Sequence, residues 1–210
     1  MSEVNGTIVV SGTGRVAVVP DVAELRLGVA VSRPSVEAAR SAAAEAMAAI
    51  LAAVVGAGVA QRDVRTTLVS VQPRYDYRDG KAPTLVGYDL TNIVEITARD
   101  LANLGAIIDG ALSAGATSLD GLSFRVDDPR EAERAARTAA VAEARSRAAV
   151  LAEAAGVAIT GVTDIVEGGP PPSWPQPKAA RMLQAADAGT PVEAGTTEIE
   201  VTVTVTFRIA

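Results

Sequence analysis

The chain has 210 residues, 19 basic against 25 acidic for a net charge of −6, and neither Cys nor His. That excludes disulfides, Cys or Cys/His zinc sites, thiol catalysis and any use of imidazole as base or ligand. Of the basic residues 17 are scattered Arg, and the acidic balance argues against non-specific binding to nucleic acid or anionic membranes. The length suits one domain of ~200 residues or two small ones, enough to hide roughly 70% of the unfolded surface. With aromatics at 3%, the core must be built from Val, Leu, Ile and Ala.

Val4–Ser11 is the first strand candidate; Gly12-Thr13-Gly14 breaks it and Arg15–Val19 resumes it, up to an edge or bulge at Pro20-Asp21. Val22–Ser32 has period two, with Leu25, Leu27, Val29 and Val31 on its buried side. Pro34–Val55 reads as a helix opened by Pro34 or Ser35 and closed by Gly56 and Gly58. Val64–Tyr77 and Leu85–Thr97 form a hairpin with a loop of several residues around Arg78–Lys81. Asp100 is placed to cap a second helix, Leu101–Ser113, ended by Gly115. Leu119–Val126 is a strand. Asp128-Pro129-Arg130-Glu131 then reads as a capped start of a helix that stops at Gly156. Glu133–Arg137 and Glu143–Arg147 are i,i+4 pairs on its wet side. Val162–Glu167 is a short strand, and residues 168–195 hold six of the eleven prolines. The end is the cleanest strand: Ile199, Val201, Val203, Val205, Phe207 and Ile209 alternate with Glu198, Glu200, Thr202, Thr204, Thr206 and Arg208.

This order predicts an α+β protein. Residues 15–127 run β-α-β-β-α-β, the ferredoxin-like split β-α-β arrangement: an antiparallel sheet with helices on one face. Residues 1–14 and 128–210 make a second α+β part: helix 128–155, proline-rich loop 168–195 and terminal strand 197–210. That strand has three candidate partners: the ferredoxin-like sheet, a small second sheet with Val4–Ser11 and Val162–Glu167, or another subunit.

Several segments, taken together, resemble the SIMPL family. They are Val10-Ser11-Gly12-Thr13-Gly14 with Val18-Val19-Pro20-Asp21, then Val69–Tyr77, then Gly87-Tyr88-Asp89-Leu90-Thr91-Asn92. Ala140–Gly156, Thr190-Pro191-Val192 and the terminal strand complete the match. The resemblance covers nearly the whole chain in order. It implies a two-part α+β protein that tends to oligomerise, with relatives linked to envelope or oxidative-stress defence. It carries over no catalytic residue.

Each candidate site has a plainer reading beside it. Gly12-Thr13-Gly14-Arg15 lacks the glycine spacing and the helix of a phosphate loop; a strand-to-strand turn using glycine's free φ is expected instead. Asp21 with Glu24, or Asp127 with Asp128, could form a carboxylate pair, but Asp21 suits a bulge and Asp128 a cap. No cofactor and no metal site is read. Tyr75, Tyr77 and Tyr88 lie on the hairpin, as a wet aromatic patch for a partner or ligand or as cross-strand stabilisers. Trp174, within the proline-rich segment, is expected to dock on its own body or on a neighbouring subunit.

The expectation is therefore a non-enzymatic, self-assembling scaffold or interaction protein, homo-oligomeric, without nucleic acid and without membrane insertion. The longest apolar run, Ala46–Val55, is short of the ~20 residues a span needs. A small-molecule binding module using the tyrosine hairpin is the alternative, and a carboxylate enzyme a third reading. Met1–Gly6 carries no basic region before an apolar run. A cytoplasmic chain is thus expected as written, or a periplasmic or envelope protein if a leader has been removed.

Overall fold

The computed structural model describes residues 6–77, 82–168 and 192–210. Among them are three α-helices and seven strands, arranged as two antiparallel sheets. This is the α+β class the element order predicted. The chain divides into two compact units.

The first unit contains β1 (Gly6–Val18), α3 (Arg130–Ala155), β6 (Ile159–Glu167) and β7 (Thr197–Ile209). Its sheet has the order β1-β7-β6. The terminal strand therefore lies at the centre, paired with β1 on one side and β6 on the other. Of its candidate partners the small second sheet is the one realised. The length of β7 is thus used up within the chain and gives no motive for assembly.

The break expected at Gly12-Thr13-Gly14 does not occur. β1 runs unbroken from Gly6 to Val18, and Arg15–Val18, expected to open the ferredoxin-like core, pairs with Thr197–Glu200 of β7. Neither Gly12 nor Gly14 has positive φ. The glycines are needed because a helix lies on them. A Cβ on Gly14 would sit 1.9 Å from the Ala136 carbonyl oxygen, and one on Gly12 2.1 Å from that of Ala140. Above them α3 buries one stripe at four-residue spacing, Ala136, Ala140, Ala144, Ala148 and Ala152. Val203, Val205 and Phe207 of β7 complete this core.

The i,i+4 pairs of α3 also prove to be more than solvated pairs. Glu143 accepts from the backbone N–H of Thr13 as well as from Arg147, and Arg147 donates to the Ser11 carbonyl at 2.8 Å. Arg137 binds Glu133 and reaches Glu167 of β6 at 3.0 Å. Asp128 does not sit at the N-cap position, which Pro129 holds without a side-chain bond. Asp128 instead accepts from the Arg130 backbone N–H at 3.2 Å and grips its guanidinium. Gly156 closes the helix in the left-handed conformation (φ 68°), where glycine carries no steric cost.

The second unit contains β2 (Val22–Arg33), α1 (Val36–Gly56), β3 (Val64–Asp76), β4 (Thr84–Ala98), α2 (Leu104–Ser113) and β5 (Ser118–Arg125). The sheet order β3-β4-β2-β5, all antiparallel, is the split β-α-β pattern. Both helices share one core with the sheet, built on Leu25, Leu27, Ile50, Ile96, Leu104, Ile107 and Ile108. Ser35 caps α1, accepting from the Ala38 N–H at 3.2 Å.

Asp100 makes no such bond. A 3-10 turn, Leu101–Asn103, intervenes before α2, and the Asn103 side chain donates to the Ala57 carbonyl at the end of α1 at 2.6 Å. By length and composition α1 is long and apolar enough to cross a membrane, although the ten-residue run Ala46–Val55 alone is not. In the fold Ala39, Ala43, Met47, Ile50 and Val54 lie buried.

Candidate functional site

Of the carboxylates singled out from the sequence, Glu24 and Asp128 are drawn to arginines. Glu24 accepts from Arg125 at 2.6 Å, and the backbone N–H of Asp21 donates to the Arg125 carbonyl at 3.2 Å. The guanidinium of Arg130 and its backbone N–H hold the Asp128 carboxyl down to about 2. Glu143 lies below the usual carboxylate range, first because the Thr13 N–H donates to it and then because Arg147 stands beside it. The Glu24, Asp128 and Glu143 carboxylates thus serve structural contacts. Among the described residues no three acidic side chains group as a metal site would require.

The polar face of β7 forms a ladder with β1. Arg15 donates to Glu200 at 2.7 Å, Thr13 and Thr202 hydroxyls meet at 3.3 Å, and those of Ser11 and Thr204 at 3.1 Å.

The hairpin β3–β4 differs from these regions. Among the described residues β3 ends the sheet, and no strand lies beside its outer edge. On β4 the buried residues Leu90, Val94 and Ile96 mark the face that carries the helices. Register places Val64, Thr66, Val69 and Val71 of β3 opposite Ile96, Val94, Asn92 and Leu90, hence on that same face. Yet Val69 is 61% exposed, and Val71, Leu85 and Val86 are exposed too. The helices cover β2, β4 and β5, whereas of β3 only its first residue, Val64, packs against their core. An open groove of about 450 Å³ remains between the end of α1 and β3, lined by Leu51, Ala52, Val55, Gln61, Val64, Thr66 and Val94.

The tyrosines extend this bare strip. Tyr75 and Tyr77 are 43% and 75% exposed, with ring centroids 6.4 Å apart and planes tilted by 58°, a separation within the range of aromatic pairs. Tyr88 is half-buried and sits further along the hairpin, opposite Pro73 of β3 and Arg33 of β2. The structure thus joins Tyr75 with Tyr77 and sets Tyr88 apart, and none of the three lines the groove. Trp174 lies outside the described residues.

Sequence reasoning singled out the aromatic residues and passed over the valines beside them. The missing signal was that the run Thr66–Pro73 carries no charge at all, unusual for a strand left at an edge. One further group was missed: Asn92 Oδ1, on the helix-bearing face between Val29 and Val69, is buried with no hydrogen-bond partner among the described residues.

Comparison with known proteins gives the chain a family. The family SIMPL, described as a protein of unknown function (DUF541), matches residues 8–207, and the chain belongs to it. It is similar to the 26 kDa periplasmic immunogenic protein of Brucella melitensis, 36% identical over 211 residues that cover 96% of this chain and 84% of that one. It is also similar to the uncharacterized protein YggE of Escherichia coli K12, 37% identical over 145 residues, 69% of this chain and 58% of that one. The Brucella relative is named a periplasmic protein, which overturns the expectation of a cytoplasmic chain. Neither name states a reaction.

Proposed function

We propose that the chain is a non-catalytic, periplasmic interaction protein that works by assembling with copies of itself. The observation that carries this reading is the open side of the hairpin: exposed Val69, Val71, Tyr75, Tyr77, Leu85 and Val86, with no strand beside β3 among the described residues. Exposed apolar runs of this kind mark interaction sites, and aromatic residues are enriched in interfaces. The relatives support the compartment by one printed name and the absence of a stated reaction by both. The stress-defence role that the family resemblance implies would be served by the assembled form.

Size-exclusion chromatography with light scattering tests the proposal. The expected mass is a multiple of the 21.3 kDa chain; a single-chain mass at micromolar concentration contradicts it. Small-molecule binding is the second reading, favoured by the apolar groove beside α1. A ligand held there raises the melting temperature by mass action, which a thermal-shift screen of apolar compounds reads.

A further inference from the structure

Among the described residues two sheets present four edges, and three of them are guarded. At β1, Glu143 takes the outward N–H of Thr13 and Arg147 fills the outward carbonyl of Ser11, so no further strand can bond there. β5 is eight residues long, has an irregular register against β2 and carries Asp120. β6 has two irregularities against β7 and carries Asp164 and Glu167. Short length, bulges and charge are the usual means of blocking an edge.

β3 has none of these guards at its centre. It is 13 residues long. Its register against β4 is regular from Leu68 to Arg74, and Thr66–Pro73 holds no charged residue. Pro73 is tolerated because β3 is an edge, and a proline interrupts any ladder added there. The flat, uncharged and proline-free stretch is therefore Leu68–Gln72, with Ser70 at its middle.

We infer that β3 pairs with β3 of a second copy, antiparallel across a two-fold axis at Ser70, joining two four-stranded sheets into one of eight strands. This rests on the self-assembly proposed above and names its contact. The sequence is self-complementary in that register. Val69 falls opposite Val71 of the other copy on the helix-bearing face, where both are exposed in the single chain. Leu68 falls opposite Gln72, and the flanking Arg74 opposite Thr66, so no like charges meet across the pair. A two-fold contact of one patch with itself is also the commonest closed symmetry.

The absence of native Cys makes site-directed cross-linking clean. In the full chain, Ser70→Cys treated with a short bismaleimide is expected to give mostly covalent dimer. Leu68→Cys and Gln72→Cys each stand four residues from their own mates, ~13 Å at 3.3 Å per residue. Each alone gives little product, whereas a mixture of the two cross-links. Asp164→Cys on β6 and Ser123→Cys on β5 report the other edges and stay monomeric. Because Val69 is exposed, Val69→Lys leaves the fold intact by circular dichroism and reduces the light-scattering mass of the pair to that of one chain.

A maximum at any site other than Ser70, or Val69→Lys retaining the parent mass, overturns the pairing. If the parent is multimeric while Ser70→Cys fails to link, the β3 contact falls and self-assembly stands. A parent that is monomeric throughout removes both.

Discussion

The two units seat their helices by opposite means. In the first, α3 rests almost on the backbone of β1: glycines on the strand meet alanines on the helix, and a Cβ would find 2.1 Å or less of room. Among the described residues Phe207 is the one aromatic side chain in that core. In the second, α1 and α2 stand off the sheet on interdigitated Leu, Ile and Val. A seam of small residues gains close packing of polarisable backbone, and its weak point is added volume. A core of large side chains gains buried apolar area, and its weak point is lost volume. The same difference explains the exposed hairpin. In the second unit only Val64 of β3 packs against the helix-covered core, whereas α3 reaches over to the edge at β1 and fastens it with Glu143 and Arg147.

The contrast breaks most visibly at Gly14. Gly14→Val forces three carbons against the Ala136 carbonyl, and the neighbour is backbone, which cannot swing away. The expected loss exceeds the ~3 kcal/mol at the top of the usual overpacking range, read by urea denaturation; a loss under ~1 kcal/mol would show that the seam yields. Ile50→Ala tests the other unit from the opposite side. Ile50 is fully buried, and removing its side chain costs about 3 kcal/mol through a cavity; a neutral result would mean the helices simply settle inward. Glycine where nothing approaches sharpens the comparison. Gly110 lies within α2 with nothing within 4 Å of its missing Cβ, so Gly110→Ala stabilises by ~0.5–1 kcal/mol.

The smallest effect concerns acid. Glu143 titrates lower in the folded chain than the ordinary 4.5, chiefly through the Thr13 N–H. Its contribution is present above the unfolded value and fades as pH falls through the folded one. Glu143→Gln keeps an acceptor for Thr13 but removes the charge. The acid limb of the stability curve below pH 4.5 becomes shallower in the variant. Identical limbs would mean that this edge clamp is electrostatically idle.

Much of the architecture was legible in the residues, and the failures share a cause. Period two in Val22–Ser32 and in the last strand, Ser35 ahead of an apolar helix and Gly156 behind α3 are local signals, and each element formed. Gly12 and Gly14 were misread because glycine serves two purposes, free φ and an absent Cβ, and only the second applies here. The clue was remote: alanines at every fourth position of α3, from Ala136 to Ala152, are the complementary half of the seam. Asp100 failed as a cap because Asn103 was needed at the end of α1, a tertiary demand. At the candidate site the aromatic pair was found from spacing. The exposure of Val69 and Val71 was not, since an alternating strand looks the same whether or not a helix covers it.

The most direct test of the account is hydrogen exchange at the backbone amides of Leu68–Gln72, followed as protein concentration rises. The prediction is protection that grows with concentration at β3 and stays constant at β5 and β6. Equal, concentration-independent exchange at β3 would contradict it.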